Sequence, residues 1–125
     1  MRLIVALALA AGLLWPSAAT AGPACSGVDR ELIAYAKEQI TVSNTAIGFT
    51  QATVNTGNHV PAAALVSVTG NPIMALDTGT PTSSVGVKWD AGDKFYVCGS
   101  SIQTFLSIRQ SGSDGTIDVI FYRRN

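Results

Sequence analysis

The sequence predicts an all-β fold, a small antiparallel β-sandwich. Short segments rich in Val, Ile, Thr and aromatic residues recur between residues 40 and 123, several alternating apolar with polar positions. Clusters of Gly, Asn, Pro, Asp and Ser, the residues of tight turns, separate them. No helical pattern lies between the segments, which disfavours a parallel α/β sheet.

The chain opens with Met1 and Arg2, an apolar run from Leu3 to Leu14, and Ala19-Thr20-Ala21 ahead of Gly22. A positive start, an apolar centre and an A-x-A site make a secretory signal peptide, so residues 1–21 read as a leader cleaved before Gly22. The apolar run is shorter than the ~20 residues of a spanning helix, so no stable membrane insertion is expected after cleavage.

Residues 22–37 form an N-terminal segment in which "DRELIAYAKEQ" (29–39) fits a short helix. Asp29 suits the N-cap, and Leu32, Tyr35 and Ala36 fall on one helical face. The period then changes to that of a strand at Ile40 and Val42, and residues 38–125 read as the sandwich domain. Further strands are expected in "AALVSVT" (63–69), "IMALD" (73–77), "DKFYVCG" (93–99), "IQTFLSIRQ" (102–110) and "TIDVIFYR" (116–123). Ile117, Val119 and Phe121 face one way in the last of these; Ile102, Leu106 and Ile108 share a face in the one before.

Residues 22–125 make one domain by size. Eight Lys and Arg stand against eight Asp and Glu, and Arg2 leaves with the leader, so the mature net charge is about −1. There is no basic surplus to hold phosphates, which argues against nucleic acid as a partner. Cys25 and Cys98 are an even pair, and an oxidising compartment favours a disulfide between them. Two free thiols are the alternative if the protein matures in a cytoplasm.

Residues for catalysis are scarce. The single histidine, His59, would need a nucleophile and an orienting acid, and no nucleophile-elbow pattern accompanies it. It reads as an exposed loop residue. One histidine and a bridged cysteine pair cannot build a zinc site, so no metal or other cofactor is expected. Asp90 with Asp93, and Asp114 with Asp118, offer oxygen ligands for calcium, but Asp beside Gly is also what hairpin turns require. Asp77 and Asp90 are conceivable partners for glycoside hydrolysis, with nothing in the sequence to bring them together. The stronger hint is aromatic. Alternation turns Phe95 and Phe121 inward, leaving Trp89, Tyr96 and Tyr122 as a tentative binding surface for a partner's pocket or a sugar. The other reading of Trp89 is that it covers the sandwich edge.

The blocks "ITVSNTAIGFTQAT" (40–53), "PIMALDTGTPTSSVGVKWDAGD" (72–93) and "IQTFLSIRQSGSDGTIDVIFYRR" (102–124) resemble a pattern of small phage-encoded proteins. Those proteins are mostly uncharacterised and are thought to be virion-associated or structural. The central block is also similar to the turn "DGxxPTxxS" in the immunoglobulin-like domain at the C-terminus of chitobiases and related hexosaminidases. Asp77, Pro81, Thr82 and Ser84 match it, while the glycine comes one place later, at Gly79. In that domain the motif is a structural turn, so the resemblance implies scaffold.

Together these readings predict an exported, non-enzymatic β-sandwich acting as a structural or interaction protein, a virion-like accessory or a cell-envelope binding module. Its partner would be a protein or glycan surface, or a second copy of itself. Its place would be secreted or periplasmic, with virion association as the alternative. A carbohydrate-binding module is the second reading and a small hydrolase using His59 the third.

Overall fold

The computed structural model describes Cys25 and residues 31–125. Among them seven strands form two antiparallel sheets: β1 (Leu32–Val42), β2 (Ala63–Val68), β3 (Ile73–Leu76), β4 (Val87–Trp89), β5 (Lys94–Cys98), β6 (Leu106–Arg109) and β7 (Gly115–Arg124). The larger sheet has the order β1-β7-β2-β5 and the smaller β4-β3-β6. Two single helical turns, α1 (Gln51–Val54) and α2 (Ser101–Thr104), lie in the connections. The signal peptide and most of the N-terminal segment lie outside the described residues.

The expected helix over 29–39 is not formed where the chain is described, because Leu32–Gln39 belongs to β1. A β-bulge explains the misleading pattern. Ala34 faces Tyr122 and Ala36 faces Phe121, leaving Tyr35 as the extra residue. Tyr35 and Ala36 therefore both pack on the core, and after them Ile40 and Val42 are buried by ordinary alternation. Two adjacent inward residues after Leu32 imitate helical spacing. The sheet thus begins at Leu32, inside the stretch assigned to the N-terminal segment.

The expected strand over 102–110 also divides. Ser101–Thr104 turns helically, and only Leu106–Arg109 pairs with β3. Phe105 and Ser107 point into the core, while Leu106 and Ile108 lie half-buried on the opposite face. Ser107 is fully buried, and its hydroxyl donates to the Ile47 carbonyl at 3.3 Å. That bond lets a serine replace an apolar residue at no cost in unmet hydrogen bonds.

The sandwich closes at both sides. After Val42 the chain leaves β1 and runs beside β6, where Ile47 and Ser107 exchange backbone bonds of 2.8 and 2.9 Å. At the other side the Asp90–Asp93 turn carries β4 directly into β5. Chain thus bridges the two sheets where edges would otherwise lie open. Gly115 sits at the tightest crossing: a Cβ there would stand 2.7 Å from Ile73 Cγ2 and 2.8 Å from the Asn71 carbonyl.

The interior between the sheets holds Ile40, Val42, Val66, Val68, Ile73, Val97, Ile117 and Val119 around Phe49, Phe95, Phe105 and Phe121. Cys25 is bonded to Cys98, 73 residues later. The bond ties the residue seven places before β1, one edge of the larger sheet, to the end of β5 at the other edge. A loop of that length limits the unfolded chain by about 4 kcal/mol. Replacing both cysteines by serine is therefore expected to lower stability by up to about 4 kcal/mol with the native spectrum retained. Urea unfolding reads this as a lower midpoint; an unchanged midpoint refutes it.

Candidate functional site

An antiparallel sheet with one solvated face normally presents polar residues outward. Two cross-strand rows of the larger sheet do so only at the edge, at Lys37. One row runs Lys37, Ile120, Leu65, Tyr96, and the next Ala34, Tyr122, Ala63, Cys98. Polarity returns in the third row, Gln39, Asp118, Ser67, Lys94, where the Gln39 amide donates to Asp118 at 2.9 Å. Ile120 is 37% exposed, while Leu65, Tyr96 and Tyr122 are half-buried. Tyr96 and Tyr122 thus share one apolar face with Leu65 between their strands.

Trp89 does not join them. It stands on β4 in the smaller sheet, its ring stacked on Phe95 with centroids 4.2 Å apart and planes 17° from parallel. The half-buried indole closes the sandwich edge over the core.

A second surface is a cleft of about 610 Å³ where the strands of the larger sheet end. Backbone bonds assemble its base: Gly99 donates to Ala62, and Ala62 donates to Tyr122. Arg123, Arg124, His59, Val60, Ser100 and Gln103 stand in its wall. Its described lining holds no carboxylate side chain, so His59 has no orienting acid there. The imidazole packs edge-on against Tyr35, centroids 5.1 Å apart, and is half-buried rather than free in solvent. Tyr35 in turn donates its hydroxyl to the Val54 carbonyl. Sequence reasoning passed over this cleft. Its signal was the paired Arg123-Arg124 at the end of a strand.

Several of the described acidic residues are spent on turns and pairs. Asp93 accepts from the Asp90 amide at 2.7 Å, closing the β4–β5 turn, and Asp114 pairs with Arg109 at 2.9 Å. Asp77 follows β3, while Asp90 lies past Trp89, which faces Ile73 at the far end of that strand. Strand rise puts about 15 Å between them, beyond the span of a glycosidase pair. Among the described residues no three of His, Cys, Asp and Glu gather as metal ligands would.

The polar stretch between β3 and β4 is a turn. Thr82 and Val85 exchange backbone bonds, and the Thr82 hydroxyl accepts from the Ser84 and Val85 amides. Pro81 is buried, and Thr104 donates its hydroxyl to the Asp77 carbonyl, fastening the start of the loop to α2. Gly86, at φ +131°, passes so close to β3 that a Cβ would meet the Ala75 carbonyl at 3.1 Å.

Compared with protein-family models, with curated proteins and with solved structures, the chain finds no match.

Burial raises the Tyr35 hydroxyl above its ordinary titration range. The unfolded chain therefore loses this proton first, so its stabilising contribution is complete below about pH 10 and falls as pH rises through the folded value. Tyr35→Phe is expected to lower stability at neutral pH by about 1 kcal/mol and to flatten the decline above pH 10. Chemical denaturation across that range checks it; parallel curves for the two proteins count against it. Trp89→Ala is expected to cost about 3 kcal/mol of stability, as removal of a half-buried stacked ring should. A loss below about 0.5 kcal/mol would place the indole outside the core.

Proposed function

We propose that this protein is an exported, non-enzymatic binding module, a virion-like accessory or a cell-envelope protein, that engages its partner through the outer face of the larger sheet. The observation that carries the reading is the apolar pair of rows holding Ile120, Leu65, Tyr96 and Tyr122 on a face where polar side chains are the rule. Tyrosine suits such a role, since it offers a wide rigid ring with a polar tip at small entropic cost. The Cys25–Cys98 bond supports an extracytoplasmic setting, where disulfides persist. No helix among the described residues is long and apolar enough to cross a membrane.

Catalysis has less behind it. Among the described residues His59 has no acid in its cleft lining, while Asp93 closes a turn and Asp90, Asp114 and Asp118 meet Lys88, Arg109 and Gln39. The carbohydrate-binding alternative rests on the same two tyrosines, whose rings could stack on sugar faces.

The test uses Tyr96→Ser with Tyr122→Ser, which removes both rings from the face and leaves the interior untouched. Wild-type protein is expected to sediment with isolated envelopes of the expressing bacterium, and the double variant at least tenfold less. Equal sedimentation of the two proteins sinks this face as the site. Absence of wild-type protein from the pellet sinks the envelope reading, and sedimentation velocity then decides whether the face joins copies of the chain. A glycan array run with both proteins decides the carbohydrate reading.

A further inference from the structure

We infer that the cleft at the end of the larger sheet is an oxyanion site, built to hold the carboxylate or phosphate group of a small ligand. The inference begins with charge. Arg123 and Arg124 both stand in its wall, and no carboxylate side chain does among the described residues. Of the other four described cations two meet acids, Arg109 pairing with Asp114 at 2.9 Å and Lys88 with Asp90 at 3.6 Å. Among the described residues Arg123 donates to the Arg124 carbonyl at 3.4 Å. In a chain with eight basic and eight acidic residues, two adjacent cations in a concavity whose described lining holds no acid are a local concentration of charge, not a consequence of net charge.

The remaining wall fits the same ligand. Ser100 and Gln103 add a hydroxyl and an amide donor beside the guanidinium groups, and His59 adds an imidazole held against Tyr35. Guanidinium offers a planar fork of donors matched to carboxylate and phosphate oxygens. Val60 is 82% exposed at the rim, an apolar surface for the body of the molecule that carries the anion. The cleft is also rigidly seated. Its floor is the last rung of the β5–β2–β7 ladder, and the Cys25–Cys98 bond sits one residue before Gly99. Oriented donors on a fixed frame lose little freedom when an anion arrives.

This site is separate from the tyrosine face: Tyr96 is not in its wall, and either can fail without the other.

Amide-resolved NMR titration of the intact disulfide-bonded protein tests it, with inorganic phosphate and sodium glucuronate as probes. Neutral glucose and sodium chloride at matched ionic strength are the controls. Saturable shifts confined to residues around Gly99, Ser100 and Arg123 are expected with at least one anion, weakening as salt rises. Saturation by phosphate alone assigns a phosphate ester, and saturation by glucuronate alone assigns a carboxylate. Arg123→Gln with Arg124→Gln should weaken binding about tenfold or more while leaving core resonances in place. If that pair does not fold, Arg124→Gln alone, at an exposed position, should weaken it about threefold. Linear shifts with both anions, or binding unchanged in the folded variants, overturn the proposal.

Discussion

A continuous chain of rings runs through this protein, and the placement of its surfaces depends on it. Trp89 stacks on Phe95, Phe95 reaches Phe105, Phe105 stacks on Phe49, and Phe49 meets Phe121 edge-on. From Phe121 the chain continues to Tyr35 and ends on His59. Centroid separations range from 4.2 Å for Trp89–Phe95 to 6.5 Å for Tyr35–Phe121. Such pairs contribute about 0.5–1.5 kcal/mol each beyond the area they bury. The rings come from both sheets and from the connections, so the contact that fills the interior also fixes the sheets relative to one another. One end closes the β4–β5 edge, and the other holds a wall of the arginine cleft.

Around that interior, no two neighbouring strands of the larger sheet are consecutive in the chain. β1 pairs with β7, β7 with β2, and β2 with β5. Each ladder therefore needs a long loop closed before it contributes, a topology associated with slow folding. It also has a functional result. Tyr96 and Tyr122 reach one face from distant parts of the chain, and Arg123 and Ser100 reach one cleft in the same way. Neither surface exists in any short stretch.

Much of the architecture was readable in the sequence because period and turn chemistry are local. β2, β3, β5 and β7 lie where alternation and punctuation put them, and Phe95 and Phe121 point inward as their parity requires. The failures have definite causes. At Tyr35 a bulge inserts one residue and places neighbours on the same face, which local reasoning reads as helical spacing. At Ser107 a buried hydroxyl borrows the Ile47 carbonyl from 60 residues away, so the inward parity of β6 was hidden by its own polarity. Phe49 was also overlooked, because it sits in a connection with no period of its own yet stacks at the centre of the core.

By itself, then, the sequence determined the all-β class, most strand positions and the turn chemistry at Asp90 and Asp93. These follow from backbone preferences and side-chain alternation within a few residues. Tertiary structure alone decided that Trp89 covers the core, that Tyr96 and Tyr122 share a face, and that two arginines and a histidine line one cleft. Each of those depends on register between strands far apart in the chain, and register is set when the whole interior packs.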